Sequence, residues 1–349
     1  MPTRVALLHG AGYTGGELIR LLLNHPNYEL ALVTSRSQAG EPVWKTHPHL
    51  RGQTELRFAE SGDAAMDGID AVFIAAEHGQ SAVLTAGLLA NGYQGAIVDL
   101  SSDFRLKNPA DYDTWYGLKH PHPELIPRFQ YGLAEVYGPY APGTRFIANP
   151  GCFATGIELA LWPIARRLGA FDAAITAITG ASGSGAKPSA TTHFPTRDGN
   201  VRAYKVLAHQ HTPEIQQTLG AGCRLLLTPV SGPWVRGIWG TIQLTLPEEL
   251  ASAAAITRLF EEAYAGRPLV RLWPDELPEL RYAVNTPFCD IGWVVRGNAL
   301  VLGFAIDNLL KGASSQAIQN LNLVLGLPET AGLIPHESPQ TNPIAQTIY

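Results

Sequence analysis

Short apolar runs alternate with helical patterns along the first hundred residues. Val5 to His9, Glu29 to Thr34, Ala71 to Ala75 and Ala96 to Leu100 read as buried strands. Glu17 to Asn24 sets Leu18, Leu21 and Leu22 on one helical face. Ser81 to Asn91 reads as a second helix, closed at Asn91-Gly92. This βαβ rhythm predicts a parallel sheet covered by helices. Residues 105 to 145, rich in Pro, Tyr and His, predict a long irregular excursion with only short helices. After Cys152 the texture changes. Ala173 to Thr179, Arg224 to Val230, Gly237 to Leu246, Val294–Val295 and Ala299 to Ile306 read as strands, with helices around Pro213 to Leu219 and Ala251 to Tyr264. Grouped strands with few helices predict a second, α+β domain with a mixed, largely antiparallel sheet. Gly312 to Leu325 predicts a last helix with Ala317, Leu321 and Leu325 on one face. The expected division is 1–148, 149–306, a closing helix within 307–333, and a poorly ordered or draped tail over 334–349.

Composition narrows the class. The chain has 349 residues, enough for about two domains. Charged residues make up 16%, against the usual quarter or so, which hints at buried interface. Hydrophobic residues at 46% exclude a disordered chain, and three cysteines exclude a disulfide framework. A net charge of −5 argues against a general nucleic-acid binder. No run of 18 apolar residues occurs, so no transmembrane helix or membrane partner is expected. The apolar stretch before Gly10 is too short for a signal peptide, so a cytoplasmic setting is expected.

Candidate chemistry begins at Gly10-Ala11-Gly12-Tyr13-Thr14-Gly15-Gly16. A GxGxxG pattern between a strand and a helix suits a dinucleotide pyrophosphate: glycines allow close approach, and the helix N-terminus favours the anion. An NAD site would place Asp or Glu at the end of the second strand. Here stand Thr34-Ser35-Arg36-Ser37, so hydroxyl and guanidinium groups suit the extra phosphate of NADP(H). Asn149-Pro150-Gly151-Cys152 delivers a cysteine to a helix start, where the macrodipole would favour the thiolate. Pro163 would kink or restart that helix. Cys223 and Cys289 have no such setting and read as packing. In His209-Gln210-His211-Thr212-Pro213-Glu214, Glu214 could orient His209 as an acid/base. Ligand spacing for a metal is lacking. Arg105, after a parallel strand, and Lys187, after Gly180 to Gly185, could meet an anionic substrate.

These motifs together resemble the N-acetyl-gamma-glutamyl-phosphate reductase family, related to aspartate-semialdehyde dehydrogenase. The resemblance runs from about Arg4 to Leu333, on Gly10–Gly16, Asp99–Leu106, Asn149–Thr155, Gly180–Lys187, His209–Ile215, Pro229–Ile238 and Asp307–Gln316. It implies a Rossmann-type first domain, completed by the last helix, and a catalytic and oligomerisation domain in a homodimer or homotetramer. It implies NADPH-dependent reduction of an acyl phosphate in arginine biosynthesis. Cys152 would form a thioester, and His209, oriented by Glu214, would shuttle the proton. Arg105, Asn149, His211 and Lys187 would meet the substrate. Gly10, Gly12, Tyr13, Thr14, Gly15, Ser35 and Arg36 would bind the cofactor. Ser182, Gly183, Asn308 and Lys311 would lie near the nicotinamide or close its site. The stretch from Thr191 to Lys205, and Gln210 between the histidines, depart from the commonest pattern. The acyl group therefore stays open: acetyl, succinyl, or an aminoadipyl group on a carrier protein in lysine biosynthesis. A non-catalytic NADP-binding sensor would lack the cysteine or histidine, and both are present.

Overall fold

The computed structural model describes residues 1–61 and 66–334. The first sheet contains β1 (Thr3–Leu8), β2 (Tyr28–Thr34), β3 (Phe58–Ala59), β4 (Ala71–Ile74), β5 (Ala96–Asp99), β6 (Gln130–Tyr131) and β7 (Phe146–Ala148). Their order is β3-β2-β1-β4-β5-β7-β6, and every pairing is parallel. Both faces are covered. Val5, Leu7, Ala71, Phe73 and Val98 enter one core, while Ala6, Leu8, Val72, Ile74 and Ile97 enter the other. That burial on both sides explains the continuous apolar runs. The order changes direction between β1 and β4, which is where a doubly wound sheet opens a ligand crevice.

α1 (Tyr13–Leu23) starts four residues earlier than the apolar pattern predicts. Gly15 and Gly16 lie inside its first turn. A Cβ at Gly15 would stand 2.2 Å from the Gly10 carbonyl oxygen, so the close return of chain onto chain requires glycine there. α2 (Gln80–Ala90) closes at Asn91 as expected.

The second sheet contains β8 (Phe171–Thr179), β9 (Arg202–Ala203), β10 (Cys223–Ser231), β11 (Ile238–Thr245), β12 (Val270–Pro274), β13 (Cys289–Arg296) and β14 (Ala299–Ile306), ordered β12-β13-β14-β11-β8-β10-β9. β8–β10 and β12–β13 are parallel and the other pairs antiparallel. α3 (Cys152–Leu168) packs on its buried face together with α4 (Thr212–Leu219) and α5 (Ala253–Tyr264).

Two local expectations fail. α3 runs unbroken through Pro163. A proline at that position takes the helical partner away from the Leu159 carbonyl. The Tyr264 hydroxyl donates to that carbonyl instead, so the helix continues at little cost. The last helix begins as a π-turn over Leu310–Ser314 and becomes α6 (Ser315–Val324). Ala317 and Leu321 are buried with Val5 and Leu18 of the first sheet's core, but Leu325 is exposed. Gln316, Gln319, Asn320 and Asn322 are fully buried too. Asn320 donates to the Gly132 carbonyl and to Asn149, and Gln316 donates to Thr155. The helix is therefore largely buried, and most of its polar groups are hydrogen-bonded rather than solvated, the Ser315 hydroxyl and Gln316 Oε1 having no partner among the described residues. Of the tail expected over 334–349, all but residue 334 lies outside the described residues. No helix among the described residues is long and apolar enough to cross a membrane.

Candidate active site

The Gly10 loop, the end of β2 and the end of β4 enclose a cleft of about 470 Å³, lined by His9, Ala11, Gly12, Ser35, Arg36, Ser37, Ala75 and Glu77. Gly12 precedes α1 without a side-chain cap, and the space where its Cβ would sit is empty. The helix N-terminus is thus open to an anion. His9, in the left-handed region at φ 61°, has a buried Nε2 with no partner among the described residues. These features fit a dinucleotide. Arg36 is exposed and lies 3.9 Å from Glu77, a weak surface pair that a phosphate could displace. The Ser35 hydroxyl accepts from the Gln38 N–H, and Ser314 donates to the Thr14 carbonyl. Tyr13 is half-exposed at the rim.

Cys152 opens α3, as the spacing predicts, and is partly accessible. Its expected activation by the helix terminus is not the whole balance. Burial pushes the thiol up to about 11, and the Arg105 guanidinium and the Phe153 N–H offset this only in part. A Cβ at Gly312 would stand 2.7 Å from the Cβ of Cys152, so the π-turn backbone lies directly against that cysteine.

Glu214 is where the structure departs most from expectation. Among the described residues it makes no hydrogen bond to His209. Its Oε1 accepts from the Gly151 N–H at 2.6 Å and lies 2.6 Å from the Tyr131 hydroxyl. Its Oε2 is 3.6 Å from Nη1 of Arg105. The carboxylate therefore serves the turn before Cys152. The cause is geometric: residue 214 lies on α4, which packs its buried face onto α3. Arg105 is almost fully buried. Its Nε donates to the Asn149 carbonyl at 2.7 Å and its Nη2 to the Leu100 carbonyl at 2.9 Å.

His209 is held otherwise. Its Nδ1 accepts from the His211 N–H at 3.2 Å, and its ring meets Phe153 and Tyr204 edge-on, 5.2 and 5.8 Å between centroids. Burial, then His211 and Lys205, pull it down to about 2, so the imidazole is neutral. His211 is close enough to Gly151 that a Cβ there would sit 2.4 Å from its Nε2, and its Nδ1 is buried without a partner among the described residues.

The depressed His209 has a consequence for stability. In the unfolded chain the ring protonates near pH 6.5, whereas in the native state it stays neutral far below that. Its contribution is complete above pH 6.5 and is lost as pH falls. By pH 5 the loss is about 2 kcal/mol. Urea unfolding at pH 7.5 and pH 5 measures it. His209→Asn should shrink the wild-type difference by about that amount, and an unchanged difference would refute the assignment.

The remaining expected residues are scattered. The Asn149 amide donates to the Ala313 carbonyl and accepts from Asn320, so it ties α6 to the cysteine turn. Asn308 donates to Ser182 at 3.0 Å and accepts from the Gly237 N–H at 2.6 Å. Gly183 lies exposed beside them. Lys311 does not reach the cleft: it is fully buried, 2.5 Å from Glu135 and 2.8 Å from Gln319. Lys187 is exposed and forms no contact with the buried cluster among the described residues. Sequence reading missed Tyr131, Glu158, His78 and Tyr116, which the fold brings in from other elements. His78 accepts from the Ser102 hydroxyl and packs edge-on against Tyr116. Arg236 was also missed. It bridges Glu17 of α1 and Asp307, each at 2.6 Å, and so links the two sheets' layers. No motif spacing announces such long-range partners.

Comparisons with known proteins agree with this architecture. Residues 4–140 match the semialdehyde dehydrogenase NAD binding domain, and residues 152–308 match the semialdehyde dehydrogenase dimerisation domain. An N-acetyl-gamma-glutamyl-phosphate reductase of Desulforudis audaxviator is 41% identical over 95% of this chain and 98% of its own length. A LysW-L-2-aminoadipate 6-phosphate reductase of Deinococcus radiodurans is also 41% identical, over 94% of this chain and 96% of its own. Among solved structures, aspartate semialdehyde dehydrogenase II of Vibrio cholerae, complexed with ASA, superposes with a TM-score of 0.70 at 16% identity, covering 93% of this chain and 99% of its own. The enzyme of Candida albicans with NADP gives 0.65 at 16%, over 93% and 97%. On these grounds the chain belongs to the N-acetyl-gamma-glutamyl-phosphate reductase family of semialdehyde dehydrogenases.

Proposed function

We propose that this protein reduces N-acetyl-gamma-glutamyl phosphate to N-acetylglutamate 5-semialdehyde and phosphate, with NADPH as reductant. The observation that carries the reading is one partly accessible cysteine at a helix start, with the Arg105 guanidinium near enough to lower its thiol and the neutral His209 ring edge-on against the next residue, Phe153. The Cys152 thiol gives its proton to neutral His209 as its sulfur attacks the acyl carbon. Phosphate leaves with the electron pair of the broken C–O bond, and a thioester remains on Cys152. When bound, the dinucleotide would supply the hydride for this thioester, and the proton taken up by His209 would pass to the oxygen that receives the charge, giving a thiohemiacetal. The S–C bond then breaks as a proton leaves the hydroxyl, releasing aldehyde and thiol. Arg105, with Nε and Nη2 held by carbonyls, keeps Nη1 3.6 Å from the Glu214 carboxylate, paired in charge but beyond hydrogen-bond length, so that Nη1 can still donate to an anionic group.

The Gly10 to Gly15 loop holds the pyrophosphate, and Ser35 with Arg36 meets the 2′-phosphate. The exposed position of Arg36 at the cleft supports NADP(H). A homodimer or homotetramer is favoured by the outer face of the second sheet, where Ala174, Thr176 and Leu226 lie exposed, and by exposed Phe194 and Val235. A second reading keeps the chemistry and changes the acyl chain to carrier-linked aminoadipyl. The Deinococcus relative, as similar as the first, favours it.

The reverse reaction separates these readings. With phosphate and NADP present, N-acetylglutamate semialdehyde should be oxidised. Its succinyl analogue and carrier-linked aminoadipate semialdehyde should react more than about tenfold slower in kcat/KM. Arg36→Ala should raise the KM for NADP about tenfold or more and leave that for NAD little changed. An inert acetyl substrate beside an active aminoadipyl one transfers the assignment to the second reading.

A further inference from the structure

Glu158 lies on α3, fully buried, and nothing in the proposed reaction uses it. The Tyr131 hydroxyl is within hydrogen-bond reach of three carboxyl oxygens: 2.6 Å from Oε1 of Glu214, and 3.1 and 3.0 Å from the two oxygens of Glu158. A phenol has one proton to give. The shortest contact, to Glu214, takes it. Tyr131 then faces Glu158 lone pair to lone pair, unless Glu158 itself brings a proton.

We propose that Glu158 is a protonated acid in the folded protein and that, through Tyr131, it is a positioning residue for Glu214, Gly151 and Cys152. The surroundings of the two acids decide which of them carries the proton. Glu214 accepts the Gly151 N–H and lies beside Arg105. Glu158 has no ion pair among the described residues. Its neighbours are Tyr131 from β6, Glu214 and Thr218 from α4, more distant Arg105, and Tyr137. Burial and the charge of Glu214 raise its acid well above the ordinary range.

The resulting chain of donors has one direction. Glu158 donates to Tyr131, Tyr131 donates to Glu214, and Glu214 receives Gly151. Gly151 has no slack, because His211 and Arg105 crowd it. A shift in this chain therefore moves the turn that presents the Cys152 sulfur.

The positioning role rests on Cys152 as nucleophile, but the proton on Glu158 does not. Two readouts need no substrate. The first is a carboxylic-acid C=O stretch in the infrared at neutral pH, expected in the wild-type-minus-Glu158→Gln difference spectrum, in which the contribution of buried Asp99, raised to about 7, cancels. The second is the pH dependence of Cys152 alkylation by iodoacetamide. Glu158→Gln keeps a neutral donor toward Tyr131, so its midpoint should stay at the wild-type value. Glu158→Ala should move that midpoint and lower kcat/KM about tenfold or more, and Glu158→Gln should recover activity to within about threefold of wild type. Tyr131→Phe should move the midpoint as Glu158→Ala does. A missing acid band, or a midpoint lowered in Glu158→Gln as by removal of a negative charge, overturns the proton assignment. An unmoved midpoint in Tyr131→Phe overturns the positioning role. Should Glu158→Ala fail to fold, the band and the Gln and Phe profiles still decide.

Discussion

Cys152→Ser should lower turnover by at least about 10⁴-fold, since a serine hydroxyl beside the same neutral histidine is a far poorer nucleophile and leaving group. The fold should survive, because Cys152 is partly accessible and serine is close in size. NADP reduction in the reverse reaction and a thermal melt check both halves. The native thiol also makes a pH statement. With the thiol pushed up to about 11, roughly one molecule in a thousand holds a thiolate at pH 8. Alkylation of Cys152 should therefore rise about tenfold per pH unit between 7 and 10. A serine variant with full turnover would refute the covalent route, and a flat alkylation profile would refute the raised thiol.

The second large effect is expected at Glu214. Glu214→Ala strips Arg105 of its carboxylate and leaves the Gly151 N–H without its acceptor, both inside the protein. Breaking a buried pair this way costs about 3–5 kcal/mol. The cysteine turn loses its anchor as well, so kcat/KM should fall about 10²-fold or more. Glu214→Gln retains an oxygen for the Gly151 N–H and should lose less in both measures. Urea unfolding and steady-state kinetics on the two variants test this. A Glu214→Ala protein with native stability and activity within about threefold would remove the anchoring role. An effect confined to the titration of His209 would restore the simpler pairing expected from their nearness in sequence.

The gap between those two accounts of Glu214 shows how far sequence reasoning reaches here. Local signals were readable. Apolar runs located most strands of both sheets, because burial on two faces or one leaves a continuous or alternating pattern. The strand–glycine–helix context located the dinucleotide cleft, and a Pro-Gly turn before an apolar helix located Cys152. Elements of two or three residues, such as β3, β6 and β7, were missed because their pattern is too short to rise above the background. α1 was started late because Gly15 and Gly16 look like helix breakers until the Gly10 carbonyl is seen beside them.

The amino-acid order by itself thus determined the fold class, the family and the positions of the loop chemistry. These depend on periodicity and on contacts within a few residues. Tertiary structure alone decided the electrostatics. Glu214 turned toward Gly151 and Arg105, Lys311 disappeared into a pair with Glu135, and Asn149 became a tie to the last helix. Partners 63 to 176 residues apart created those environments. A side chain's charge state depends on what surrounds it in space, and sequence spacing carries no record of that.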